Sequence, residues 1–320
     1  MNILFVTSTR IGDAVLSTGL LAHMIGSFPD ARITVACGSL PAPLFAAAPR
    51  VVRVIELTKR PLAGHWLELW ARTATTVWDL VVDLRGSALA WTVPARRRKV
   101  MRRAGSGTHR VRALGRLFDL ASPPAPTLWI GETQARAADR LVPRGGTVIG
   151  VGPTANWAAK IWPADRFVAL IERLTAPGGI APGARVAVFG APDERALALP
   201  VLEALSADRR IDLVGAVDLP TAAACLARCA LFVGNDSGLM HIAAAVGTPT
   251  LGLFGPSPAI QYAPWGAHCA VAETDIPYAE LVGAPDFDHR RTGTLMTGLS
   301  VERAAAEAEA LWRGLSRKAT

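Results

Sequence analysis

Two successive rounds of short apolar runs alternating with helical patterns predict an α/β protein of two doubly wound parallel-sheet domains facing across a cleft. Three observations carry this. The apolar runs are near-continuous over four or five residues, as in strands buried on both faces (Ile3, Leu4, Phe5 and Val6 are the first). Most are followed by a polar turn and then by a segment of helical periodicity. The rhythm restarts after Pro143, Arg144, Gly145 and Gly146, which read as a linker and divide the chain into residues 1–145 and 146–320. At 320 residues the chain is long enough for two cores.

In order, strands are expected over 3–6, 33–36 and 80–83, with a helix over 14–25 closing near Gly26. In the second half, strands are expected over 148–151, 186–189, 211–214, 231–233 and 250–254. Helices fall between them over 167–174, 196–205, 222–228 and 239–246, and a last amphipathic helix over 301–315. No short-period repeat interrupts this order. Ligands of such sheets bind at the carboxyl ends of the strands, which directs attention to the loops 7–13, 152–162 and 234–241.

Half of the residues are hydrophobic and a fifth charged, which fits a globular enzyme and excludes a disordered chain. The four cysteines, Cys37, Cys225, Cys229 and Cys269, form no zinc spacing and no C-x-x-C pair. Buried free thiols in a reducing compartment are expected. The first residues lack the pattern of a signal peptide, and no apolar run reaches the roughly 18 residues of a membrane span. A cytoplasmic protein, able to touch a membrane surface, is the expectation.

The net charge of +8 is unevenly placed. Residues 1–145 carry 20 Lys and Arg against 9 Asp and Glu, whereas residues 146–320 carry 14 against 17. The excess peaks at Arg96, Arg97, Arg98, Lys99, Arg102, Arg103, Arg110, Arg112 and Arg116, with no acid between Asp83 and Asp119. Such a stretch recruits nucleic acid, anionic lipid or a phosphorylated glycolipid, or is a solvated basic loop. Composition does not choose among these. Trp66, Trp70 and Trp91 precede it and are either core residues or packing for lipid or sugar.

The richest loop is Gly234-Asn235-Asp236-Ser237-Gly238-Leu239-Met240-His241, where a buried strand turns directly into an Ala-rich helix. Free N–H groups and the helix dipole make an anion site there, suited to phosphate. Plain capping by Asp236 or Ser237, with His241 in the core, accounts for the same residues. Chemistry alone leaves both open.

The run from Asn235 through Asp236, Ser237, Gly238, Leu239, Met240, His241 and Ile242 to Ala245 continues to Gly247-Thr248-Pro249 and Phe254-Gly255-Pro256-Ser257. It resembles the signature of glycosyltransferase family 9, which contains the ADP-heptose:lipopolysaccharide heptosyltransferases. Thr9-Arg10-Ile11-Gly12-Asp13-Ala14 resembles the family's opening loop, and Lys160-Ile161-Trp162-Pro163 its Lys-x-Trp-Pro segment. Asp83-Leu84-Arg85-Gly86 is similar to another family segment, so the likeness spans nearly the whole chain.

The resemblance implies a GT-B fold, with acceptor on the first domain, nucleotide-sugar donor on the second, and the last helix expected to pack back on the first. It implies Asp13 as the base that takes the acceptor hydroxyl proton, although capping of a helix starting at Ala14 is the ordinary role of such an Asp. Lys160 is implied as the cation on the leaving diphosphate rather than a solvated loop residue. Asn156 is a weaker donor contact. Glu194 holds ribose hydroxyls or simply starts a helix, Asp236 holds the donor sugar, and Ser237, Gly238 and His241 address the diphosphate. Arg10, Arg96, Arg97, Arg98, Lys99, Arg102 and Arg103 are expected on the anionic lipopolysaccharide acceptor, or against the inner leaflet.

Asp286-Phe287-Asp288 is expected to be a surface turn, not a metal motif, and no cofactor or obligatory metal is expected. The segment Trp157-Ala158-Ala159 departs from the family's pattern in being apolar, which leaves donor contacts there open. Rival readings are less complete. An epimerase lacks the Gly-Asp and Lys-x-Trp-Pro segments. A Rossmann dehydrogenase needs Gly-x-Gly-x-x-Gly after the first strand. A nucleic-acid binder leaves Asp13 and the phosphate loop unexplained. A member using another nucleotide sugar, or a non-catalytic polyanion-binding relative, stays open.

Overall fold

The computed structural model describes residues 1–102, 107–283, 288 and 292–316. Its contacts divide the chain into two units, Met1–Gly131 and Glu132–Thr320.

The first unit contains β1 (Asn2–Val6), α1 (Ile11–Ser27), β2 (Arg32–Gly38), β3 (Val51–Leu57) and α2 (Gly64–Thr73). It continues with β4 (Trp78–Asp83), α3 (Leu89–Thr92), β5 (Ala95–Val100) and α4 (Arg110–Arg116). Its sheet runs in the order β3-β2-β1-β4-β5, with every pair parallel. β1 is buried on both faces, which is why its sequence is an unbroken apolar run. Ile3 and Phe5 pack with Leu20, Leu21 and Met24 of α1, whereas Leu4 and Val6 pack with Leu69 of α2 and Leu89 of α3.

The second unit begins with α5 (Glu132–Leu141), β6 (Val148–Gly152), α6 (Ala164–Thr175), β7 (Arg185–Gly190) and α7 (Arg195–Ala204). Then come β8 (Arg210–Val214), α8 (Leu219–Leu226), β9 (Leu231–Asn235), α9 (Gly238–Ala245) and β10 (Thr250–Phe254). α10 (Ala259–Tyr262), β11 (Cys269–Glu273), α11 (Tyr278–Val282) and α12 (Val301–Ser316) complete it. Its parallel sheet is ordered β11-β10-β9-β6-β7-β8. Ile149, Val151, Val186, Val188, Leu231 and Val233 share one core with Phe167 of α6 and Val201 of α7.

Three expectations change. The division falls after Gly131, not near 145, because α5 belongs to the second unit. Arg228 donates to Asp139 of α5 at 2.5 Å and to the Val142 carbonyl at 2.6 Å, so the Pro/Gly segment is an internal turn. The last helix packs within the second unit. Ala304, Ala305 and Ala308 of α12 are buried in the second unit's own core, and Glu309 pairs with Arg173 of α6 at 3.1 Å. Strands β3, β5 and β11 were not expected. All three are edge strands, and β3 and β5 carry charged residues within their runs, whereas β11 is a four-residue apolar run closed by Glu273.

The cysteines are free thiols, and Cys37, Cys225 and Cys229 are buried. Burial pushes Cys37 and Cys269 up to about 12, and Cys225 up to about 11 against the opposing pull of Arg228. Burial also raises Cys229. Thiolate is the reactive form, and at pH 8 a thiol of pKa 11 is about one part in a thousand ionised. The folded chain should therefore resist a colorimetric disulfide reagent at pH 8, and all four thiols should react promptly once denaturant is added.

Candidate active site

The order of each sheet reverses once, between β1 and β4 in the first unit and between β6 and β9 in the second. Strands leave in opposite directions at that point, and their loops diverge to open a crevice at the carboxyl ends. In the second unit β6 ends on Gly152, whose partner in register is Gly234, the residue before the last of β9. A Cβ at either would stand 2.8 Å from the Phe232 ring, so glycine is required by packing at both.

The loop after β6 is tied down at several points. Trp162 is fully buried and packs edge-on against Phe167 at 5.1 Å. Its backbone N–H donates to Asn235 Oδ1 at 3.0 Å, and its indole N–H to the Leu299 carbonyl at 2.9 Å. Leu295 N–H donates to the Ala159 carbonyl at 3.0 Å. Lys160 is therefore not a solvated loop residue. Its Nζ donates to Asp236 Oδ2 at 2.5 Å and lies 5.5 Å from the Trp157 ring centroid. Asp236 is buried, and its other oxygen is 3.9 Å from His241 Nε2. One carboxylate thus stands between a lysine and a histidine at the end of β9.

Helix α9 starts immediately afterwards. Ser237 is its N-cap residue, with extended backbone (φ −144°, ψ 172°), but its side chain makes no cap bond. The Ser237 Oγ atom is buried and has no hydrogen-bond partner among the described residues. Asp236 is engaged by Lys160, so neither residue expends its side chain on capping. A buried hydroxyl beside Gly238 and the helix's first N–H groups are hydrogen-bond donors of the kind that suit an anion.

Glu194 Oε2 accepts from Thr154 Oγ1 at 2.8 Å and from Ala191 N–H at 2.9 Å. The loops after β6 and β7 are thereby joined, with Glu194 as the N-cap residue of α7 but with no side-chain cap bond. Thr154, buried on the loop after β6, was not expected at the site from the sequence. Ser257 was not either; it follows β10, is buried, and its hydroxyl has no partner among the described residues. A hydroxyl's burial has no signature in a sequence read one residue at a time. Asn156 is exposed on the same loop as Lys160 and makes no side-chain hydrogen bond among the described residues.

In the first unit Asp13 is the third residue of α1, which starts at Ile11 with Arg10 as N-cap. Asp13 therefore does not cap a helix starting at Ala14. Its half-buried carboxylate has no hydrogen bond or ion pair among the described residues. Across the reversal point, the fully buried Asp83 accepts from Arg85 N–H, Ser87 N–H and Ser87 Oγ at 2.8, 2.7 and 2.6 Å. Asp83 shapes its own turn, which includes Gly86 at φ +62°.

The model of glycosyltransferase family 9 (heptosyltransferase) matches residues 83–283, well over half of the chain. The chain belongs to glycosyltransferase family 9. It is 27% identical over 305 residues to lipooligosaccharide heptosyltransferase 2 of Haemophilus influenzae, covering 82% of this chain and 86% of that one. It also resembles the crystal structure of the family 9 glycosyltransferase from Veillonella parvula, with a TM-score of 0.80, 22% identity, and 98% and 97% of the two chains covered. Against the E. coli ADP-heptose lipopolysaccharide heptosyltransferase II structure the TM-score is 0.77, with 21% identity and 99% and 100% covered. The fold is accordingly GT-B-like, with its two parallel sheets.

In this family 9 enzyme the basic stretch is not one surface. Arg98 is structural: its guanidinium donates to the carbonyls of Ala90, Ala95 and Val93 at 2.6, 2.9 and 3.1 Å and lies 5.9 Å from the Trp91 ring centroid. Those three bonds use the Nε–H and one N–H on each terminal nitrogen, and they fix the guanidinium against the turn that joins α3 to β5. Lys99 pairs with Asp119 at 3.4 Å, and Arg96 with Asp79 at 3.4 Å. Arg10, Arg97 and Arg102 are exposed. Arg103, Asp286 and Phe287 lie outside the described residues. Among the described residues no group of three or more His, Cys, Asp or Glu has a metal-holding arrangement.

Asn235 is the residue through which strand β9 holds the Lys160 loop. Asn235→Leu would leave the buried Trp162 N–H without its acceptor, at a cost of about 1–3 kcal/mol. Urea unfolding should show that loss, and Asn235→Asp, which keeps an acceptor oxygen, should recover part of it.

Proposed function

We propose that this enzyme transfers heptose from ADP-heptose to the inner core of lipopolysaccharide with inversion at the anomeric carbon. The observation that carries this reading is the Lys160–Asp236–His241 cluster beside the unspent N-terminus of α9, at the strand-order reversal of the second unit. That set offers a cation, helix N–H groups and the Ser237 hydroxyl to a diphosphate, and a carboxylate to sugar hydroxyls. Similarity to the E. coli ADP-heptose lipopolysaccharide heptosyltransferase II supports the choice of donor.

The acceptor hydroxyl oxygen attacks the anomeric carbon as the bond to the β-phosphate oxygen breaks. The hydroxyl proton passes to the Asp13 carboxylate, and the bonding electron pair leaves with ADP. A single displacement inverts the carbon. Lys160 exchanges Asp236 for the departing phosphate oxygens, which frees Asp236 to take sugar hydroxyls. Glu194, with one oxygen still open, receives the ribose hydroxyls. Because lysine and helix N–H groups supply the positive charge, no metal is required. The acceptor is an anionic lipopolysaccharide precursor, reached by Arg97 and Arg102. The enzyme works at the cytoplasmic face of the inner membrane and not on nucleic acid.

Titration calorimetry in EDTA against ADP, UDP and GDP tests the donor assignment. ADP should bind selectively, and Lys160→Ala should weaken it at least about tenfold, the worth of one charge-assisted contact. Preference for UDP or GDP would overturn the heptose assignment. Absence of any nucleotide binding would favour a non-catalytic, polyanion-binding protein. Asp13→Ala should lower kcat by about 10²–10⁴ in a transferase assay with Kdo-lipid A while leaving ADP affinity unchanged. An unaltered kcat would remove Asp13 from the role of base.

A further inference from the structure

The face of the first unit formed by α2, the turn before it and α3 exposes apolar side chains that no described residue covers. Leu62 is fully exposed, Leu67 is 69% and Trp91 68% exposed, and Trp70 is 41% exposed. Leu62 and Ala63 hold left-handed backbone, at φ +51° and +57°, a region disfavoured for residues with a Cβ. Strained backbone displaying a wholly exposed leucine is not what solubility or packing alone would produce. Leu67 and Trp70 stand one turn apart on α2, with Leu67 turned away from the buried Leu69 and Thr73 and Trp70 at the border of that buried face. The Trp70 indole donates to the Thr92 carbonyl at 3.3 Å, which brings α2 against α3 beside Trp91.

Cations rim this face. From residue 58 to 77 there are Lys59, Arg60 and Arg72 against the single acid Glu68, which both arginines share at 3.2 and 3.8 Å, leaving a net charge of +2. Side chains alternate along β5, so Arg96 lies on the same face of the sheet as Arg98, whose guanidinium reaches α3; Arg96 is 75% exposed. Apolar groups within a basic rim match the headgroup region of an anionic bilayer. At ten residues, α2 is too short to cross one. A second copy of the chain would bring like charges together at the same face.

We propose that this face docks on an anionic membrane surface, with Leu62, Leu67 and Trp91 entering the headgroup layer and Lys59, Arg60 and Arg96 meeting lipid phosphates. It deepens the placement at a membrane made above, yet its test needs neither donor nor lipopolysaccharide, so the two can fail separately. The full chain is floated with vesicles of phosphatidylcholine alone or containing about one third phosphatidylglycerol, at low and raised salt. It should bind the anionic vesicles, and less so in salt. The double variant Leu62→Gly, Leu67→Ser should bind at least about tenfold more weakly at an equal or higher melting temperature, because glycine takes left-handed backbone without strain. Failure of the natural chain to float, equal binding to neutral vesicles, or unaltered binding by the variant would each overturn the proposal. So would sedimentation showing a dimer that the variant dissolves.

Discussion

Every strand of both sheets runs parallel to its neighbours, and this constraint orders the rest of the molecule. A parallel strand needs a crossover to reach its partner, so helices cover both faces and all the strands' carboxyl ends in a sheet open toward one edge. Where strand order reverses, no crossover closes the gap between adjacent loops. The side chains that the interior cannot hold, among them Asp13 in the first unit and Lys160, Asp236 and His241 in the second, gather at those edges. Polar chemistry is pushed there because the strands themselves have no solvated face to carry it.

The ion pair of Lys160 with Asp236 is the costliest feature of the second unit's edge. Both partners are largely withdrawn from water, and taking them there costs several kcal/mol per ion before their attraction is counted. Such a pair is weak evidence for stability and better evidence for a site that keeps a charge ready. Asp236 occupies the lysine, and the lysine neutralises a carboxylate that would otherwise stand bare just before the N-terminus of α9. The loop that carries Lys160 is held by the Trp162 ring in the core, the Asn235 side-chain oxygen and the Leu299 carbonyl.

Arginine is used in opposite ways within a few residues of β5. Arg98 turns inward to satisfy three carbonyls, whereas Arg97 stays exposed. Alternation along an edge strand separates neighbouring side chains onto different faces, so a run of like residues divides into different roles. The same principle makes Lys99 a partner of Asp119 and the Phe118 ring, and not of the α3 carbonyls.

The strands buried on both faces were legible residue by residue. Burial on two sides demands unbroken apolar sequence, and β10 was expected over the residues it occupies. So were the loops of the site, since a polar Gly-containing turn between a buried strand and a helix marks the strand's carboxyl end. The edge strands β3 and β5 were not legible, because one open edge permits arginine and glutamate. Nor was the placement of α5 and α12, both within the second unit, since an amphipathic helix declares an apolar face but not the surface that receives it. The sequence by itself determined the two parallel-sheet halves and the residue types at their strand ends, because these follow from short-range pattern. Only the tertiary structure decided that Asp236 holds Lys160, that Asn235 holds Trp162 and that Arg98 belongs to the scaffold. Each of those pairings joins segments whose separation along the chain says nothing about their distance in space.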